Sequence, residues 1–304
     1  LTPGATISPA SGSVQNFTTP VRYTVTSEDK AWHRVYAITA REQKASNIPT
    51  TYHFEKVRIM QNVWQEFYEE QDSGNELTWA SGNKGFKWAM SEAATEDYPT
   101  TQIDNGKTGK CVKLETRLTG DLGNMVGMPI AAGNLFIGSF DMLNAITNPL
   151  SATRFGTPFY NKPLRLTGYY KYKAGEQFYE NGEYTSRKDI FNIYAIFYDG
   201  VKYDSAGKGT DVTLDGNLPN QNYEHSSMVA LALVSNPQET EGDEWKFFDI
   251  PFDYQRYGKK IDEARLAKGE YKIGIIFASS KDGATFEGAP GSTLLIDEVE
   301  LIYE

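Results

Sequence analysis

An all-β fold is predicted from three features of the chain. Its apolar runs are short and alternating, Gly, Pro, Asn and Asp punctuate them, and aromatics reach 13% with Tyr and Phe far outnumbering Trp. Repeated strands without intervening helices favour an antiparallel sandwich over a βαβ arrangement. Helical periodicity is scarce; the best candidate, Ile261–Lys268 stopped by Gly269, has only about two turns.

The elements follow in chain order. Thr6–Ser8, Val21–Thr26 and Trp32–Thr39 read as strands of a Thr/Ser/Pro/Val-rich opening. They are too few to close an immunoglobulin-like sandwich of about seven strands, so residues 1–50 read as the latter part of such a β module. A composition shift over residues 42–53 separates this opening from an aromatic-rich remainder, 51–304, and a hinge is expected near Ala45–Thr51. Cys111–Leu118 alternates cleanly, with Val112, Leu114 and Leu118 on one face and Lys113, Glu115 and Arg117 on the other. Ile190–Tyr198 and Met228–Val234 are apolar on both faces, as strands covered from two sides are. Tyr271–Ala278 and Leu294–Tyr303 complete a C-terminal set.

Composition removes several functions. Thirty basic against forty acidic residues give a net charge of −10, which disfavours nucleic acid and anionic membranes as partners, because neutralising phosphates needs clustered cations. No apolar run reaches the ~18 residues of a membrane span. The single cysteine, Cys111, excludes an internal disulfide and Cys-rich metal sites; His33, His53 and His225 match no metal-ligand spacing. Nucleophile-elbow, phosphate-loop and dinucleotide signatures are absent from the sequence. Glycoside hydrolysis stays open, since it needs only two carboxylates roughly 5–10 Å apart and many acidic pairs exist.

Residues suited to sugars are present. The apolar C–H face of a pyranose stacks on a flat ring while its hydroxyls seek amide, amine and carboxylate partners. The Gly-interrupted stretch Trp79–Trp88 reads as a loop carrying two indoles beside Asn83. In Leu164–Tyr172, Tyr170 and Tyr172 share the leucine face, leaving Tyr169 outward with Arg165 and Lys171. The long segment Ser279–Ser292, with Ser280 and Lys281 near its start, links two strongly apolar strands and reads equally as structural or ligand-facing. Asp297 falls, by alternation, on the face of Leu295, Val299 and Leu301, which is expected to be inward. A carboxylate there must cap loop amides or bind a cation, and a hard cation such as calcium, with Glu55 as second ligand, fits an all-oxygen site.

From about Phe54 onward the chain resembles the PCMD family of Bacteroidetes surface proteins, named for carbohydrate metabolism. The resemblance is carried in order by Phe54-Glu55, Trp79–Asn83, Gly109–Thr116, Ala132–Gly138, Phe155–Phe159, Lys162-Pro163, Gly168–Tyr172, Ser279–Ser292 and Leu295–Asp297. It implies a jelly-roll β-sandwich, export with a lipoprotein leader ahead of Leu1, and a role around glycans at the cell surface. The opening resembles the end of a bacterial immunoglobulin-like module. A Phe-Glu in the first strand and an Asp in the last also resemble calcium-stabilised carbohydrate-binding jelly rolls, which links Glu55 with Asp297. The leading expectation is a non-catalytic glycan-binding protein using Trp79, Asn83, Trp88, Tyr169, Lys171, Ser280 and Lys281. The rivals are an adhesin or spacer that contacts other surface proteins, and a glycoside-processing enzyme with paired carboxylates.

Overall fold

The computed structural model describes residues 2–39, 48–71 and 74–304. The chain divides into two compact units, Leu1–Ala45 and Ser46–Glu304; part of the expected hinge and boundary segment lies outside the described residues.

In the first unit, β1 (Thr6–Ser8), β2 (Val21–Thr26) and β3 (His33–Ile38) form one antiparallel sheet in that order, with Thr6 opposite Thr26 and Val21 opposite Ile38. All of β3 is exposed, Val35, Tyr36 and Ile38 included.

The second unit is an all-β sandwich. Its principal strands are β4 (Thr100–Asp104), β5 (Lys110–Glu115), β6 (Asn134–Phe136), β7 (Pro163–Lys173), β8 (Asn192–Asp199), β9 (Met228–Leu233), β10 (Lys246–Pro251), β11 (Tyr271–Ala278) and β12 (Thr293–Tyr303). One sheet runs β10-β7-β12-β5-β4, with Thr51–Tyr52 added on β12; the other runs β6-β11-β8-β9, with Thr157–Phe159 added on β11. All these pairings are antiparallel. From β5 onward every connection except β8 to β9 crosses from one sheet to the other, which is the winding of a jelly roll.

Alternation explains the core. Val112, Leu114, Tyr170, Tyr172, Leu294 and Ile296 of the first sheet meet Ile193, Ala195, Ile273, Ile275 and Phe277 of the second in one buried cluster. Each such aliphatic side chain withdrawn from water contributes ~1.5–3 kcal/mol before entropy is charged against it. The double-sided apolarity of β8 has its own cause: Tyr194, Ile196 and Tyr198 face outward beneath Phe136, Phe155, Leu214, Leu218 and Tyr223, a second core under the long connections.

Two differences from the sequence reading matter for the site. Cys111–Leu118 is not one strand, because at Thr116 the chain turns to bond Ser292 O through its amide and Ser279 and Ser280 through its hydroxyl, leaving Leu118 half exposed. A short helix, α1 (Asn83–Ala89), stands where the Trp79–Trp88 stretch reads as a loop, and two more, α2 (Gly120–Met125) and α3 (Met142–Thr147), lie in segments that the sequence reading assigned to no element. The expected helix is α4 (Glu263–Ala267), capped by Asp262, whose carboxylate accepts from the amides of Ala264 and Arg265. No helix among the described residues is long and apolar enough to cross a membrane.

Candidate functional site

Tyr169 and Lys171 stand on the outward face of β7, as alternation requires, and the structure builds a site around them. Tyr169 lies opposite Phe247 of β10, their rings 5.2 Å apart. Trp245 leads into β10, and Lys171 Nζ sits 5.2 Å from its ring centroid. Lys107 Nζ lies 4.8 Å from the Tyr169 ring. Phe247 remains 53% exposed, which makes it the open ring of this aromatic row. The surrounding charges are largely matched: Arg165 Nε bonds Asp249 at 2.6 Å, Lys113 bonds Glu115 at 3.0 Å, and Lys171 is 3.9 Å from Asp243. Trp245, Phe247 and Lys107 were missed by the sequence reading. The signal was available for Phe247, because Phe248 and Ile250 alternate inward and force Phe247 and Asp249 out.

Asp297 belongs to this same outer face, a correction to the inward placement expected from alternation. Leu294 and Ile296 point into the core, but a bulge at Glu298, with φ +48°, shifts the phase so that Val299 and Leu301 also point inward. Asp297 therefore faces out, opposite Tyr169, and is buried beneath the turn of residues 105–110. Its Oδ2 accepts from Thr108 N at 3.0 Å and its Oδ1 from Glu298 N at 2.8 Å. Glu55, exposed, reaches the same turn, where its Oε1 accepts from Lys110 N at 2.8 Å. Glycine is required in this turn: a Cβ at Gly106 would stand 2.7 Å from Asp297 Oδ2, and one at Gly109 2.2 Å from Glu55 Oε1. Burial pushes the Asp297 carboxyl up to about 6 despite these amides, and pushes the neighbouring Cys111 thiol up to about 12. Asp297 makes no ion pair with a cationic side chain among the described residues; it and Glu55 cap the amides of this turn, and no group of three or more His, Cys, Asp or Glu side chains suited to a metal ion gathers among the described residues.

The other expected site residues lie elsewhere. Trp79 is 1% exposed, and its indole packs on Tyr52, Phe54 and Phe277 at centroid distances of 5.2, 5.6 and 6.0 Å. It is a core residue, because Glu76–Thr78 is a strand pairing with Trp64–Glu70 and delivers the next side chain into the sandwich. Replacing Trp79 with alanine is expected to lower unfolding free energy by ~3–5 kcal/mol, read by urea denaturation, through the cavity it leaves. Asn83 is fully buried and ties α1 to β4, donating to Thr100 O at 2.7 Å and accepting from Thr100 N at 3.1 Å. Ser280 is also fully buried: its hydroxyl donates to Asp189 Oδ2 at 2.6 Å, and Lys281 bonds Ile190 O through its backbone amide while remaining exposed. Gly and polar residues misled the reading here, since they serve close helix packing and buried hydrogen bonding rather than an open loop. Trp88 lies on α1, 38% exposed, at an apolar cavity of about 140 Å³ lined by Phe86, Val126, Met128, Phe140 and Phe286, with no carboxylate in its wall.

Comparison with known proteins agrees with this architecture. The family described as "Putative carbohydrate metabolism domain" matches residues 53–302, and the one described as "SGBP, N-terminal" matches residues 1–40. A solved structure from Bacteroides vulgatus ATCC 8482, described as a "putative glycoside hydrolase", is 50% identical, with TM-score 0.78, over 86% of this chain and 100% of that one. Another of the same description, from Bacteroides thetaiotaomicron VPI-5482, is 46% identical, with TM-score 0.76, over 100% of this chain and 84% of that one. No curated protein matches the chain.

Proposed function

The chain belongs to this carbohydrate metabolism domain family, and from that premise we propose that it is a glycan-binding protein of a bacterial cell surface that holds its ligand without cleaving it. The observation that carries the reading is the aromatic row on the outer sheet face. Phe247 offers an open ring, Tyr169 fixes its position, and Lys171 and Asp249 stand beside it as hydrogen-bonding groups for hydroxyls. Two of the carboxylates on this face are held in close ion pairs, Asp249 with Arg165 and Glu115 with Lys113 and Arg117, which supports binding over acid–base chemistry for that pair. The match of residues 1–40 to "SGBP, N-terminal" supports the surface placement. A glycoside-processing role is the second reading, favoured by the description given to the two Bacteroides structures.

A calcium ion held by Glu55 and Asp297 completes the proposal. When bound it would cross-link the start of the sandwich and β12 to the turn that carries Lys107, and so hold the edge of the aromatic row.

The test is retention and cleavage measured together across plant, host and bacterial polysaccharides, with calcium and with chelator. Retention without release of reducing sugar is the expected result; release of sugar establishes the enzyme instead, and neither outcome on any polysaccharide moves the reading to protein partners. Chelation is expected to lower the melting temperature by several degrees, since a metal bound only to the folded state stabilises by mass action. An unchanged melting curve removes the calcium.

A further inference from the structure

A second cleft, of about 640 Å³, opens at the end of the sandwich away from the residues of the aromatic row. One wall is the hairpin Phe178–Thr185, in which Tyr179 pairs with Tyr184 across the turn Asn181-Gly182. Both turn residues have positive φ, +51° and +88°, the tight turn whose twist suits a two-residue hairpin. The hairpin is fixed to the segment behind it by paired bonds between Tyr179 and Gly288, 2.9 Å and 3.1 Å. Asn124 of α2, Phe286 and Glu287 complete the lining.

The lining has a definite chemistry. Tyr184 is 51% exposed, and an edge-on contact with Tyr179, centroids 5.3 Å apart, sets its ring orientation. Asn124 and Asn181 both line the cleft, and the amide of each is able to donate and accept. Among the described lining residues the only charge is Glu287, and none is Lys, Arg or His. An anionic ligand finds no counter-charge there, whereas an uncharged polyol with one apolar face finds a ring, two amides and one acceptor. We infer that this cleft is a separate binding site for an uncharged oligosaccharide, independent of the sheet face with its lysines. It rests on the carbohydrate reading for its class of ligand and on none of the sheet-face residues.

Calorimetric titration with cellohexaose, mannohexaose, xylohexaose and maltohexaose, with hexagalacturonate as the charged counterpart, tests it on the full chain. At least one uncharged hexasaccharide is expected to bind. Its Kd should rise ~10-fold or more in Tyr184→Ala and in Asn124→Ala, stay within ~3-fold in Tyr184→Phe, and stay within ~2-fold in Phe247→Ala. Both exposed positions tolerate truncation, and an unchanged melting curve verifies the fold. Absence of binding by every uncharged hexasaccharide, preferential binding of hexagalacturonate lost in Tyr184→Ala, or wild-type affinity in Tyr184→Ala overturns the inference. Failure of the sheet-face reading looks different: polysaccharide retention unchanged in Phe247→Ala, with the Tyr184 result still standing.

Discussion

Replacing Asp189 with alanine is expected to destabilise the sandwich by ~3–5 kcal/mol, roughly 10 °C in melting temperature for a unit of this size. The reason is the number of donors that converge on one buried carboxylate. Its Oδ2 accepts from Ser280 Oγ at 2.6 Å, Ser292 Oγ at 2.7 Å and Ala289 N at 2.8 Å, while Oδ1 accepts from Ile190 N at 2.9 Å. Removing it strands buried donors, each costing about 1–3 kcal/mol. The effect reaches further, because these bonds close the segment 279–292 at both ends and Ser280 passes the network on to Thr116, where β5 ends. Burial raises the Asp189 carboxyl above its ordinary value in spite of its donors. A raised folded value means the folded state holds the proton more tightly, so this group's contribution is complete below the unfolded value near 3.8 and declines as pH rises through the folded one. Asp189→Asn, which keeps one acceptor and cannot titrate, should therefore show a deficit against wild type that shrinks as pH rises across that window. Thermal melts of the three proteins from pH 4 to 7 measure it; equal deficits at every pH would show that Asp189 keeps its ordinary proton affinity.

The residues that were legible in the sequence are those whose environment follows from strict alternation. β1, β2 and β11 lie at the bounds read from their short runs, and Tyr169 on β7 faces outward as the period of two requires. Asp297 shows how the method fails: one bulge residue, Glu298, reverses the phase of β12, and no single-strand pattern announces it. Trp79 and Asn83 fail for another reason. Their neighbours Gly82 and Gly85 resemble loop punctuation, yet the structure uses them where the backbone nears Asn134 and Phe140. Long-range contacts therefore decided whether a glycine opened the chain or let it pack. The site is harder to read than the fold because it combines β7, β10, β12 and the 105–110 turn, which meet only through sheet order.

Neighbouring phenylalanines on β10 give the sharpest separation of binding from folding. Phe247→Ala is expected to reduce polysaccharide retention by ~10-fold or more while leaving the melting curve nearly unchanged, since it removes a half-exposed ring whose structural contribution is the ~0.5–1.5 kcal/mol of one ring contact with Tyr169. Phe248→Ala, one residue along, removes a ring that is 5% exposed within the main core, and is expected to cost ~3–5 kcal/mol of stability. Below its lowered melting temperature the Phe248 variant should still retain polysaccharide, because its side chain points away from the outer face. The pair thus moves two observables in opposite combinations: retention falls without destabilisation in one, and stability falls with retention kept in the other. Retention at the wild-type level in Phe247→Ala would detach the aromatic row from glycan binding, whatever the melting curves show. Lys171→Ala extends the test, for Lys171 lies over Trp245 on the same face, and an intermediate loss there would place hydroxyl recognition beside the stacking ring.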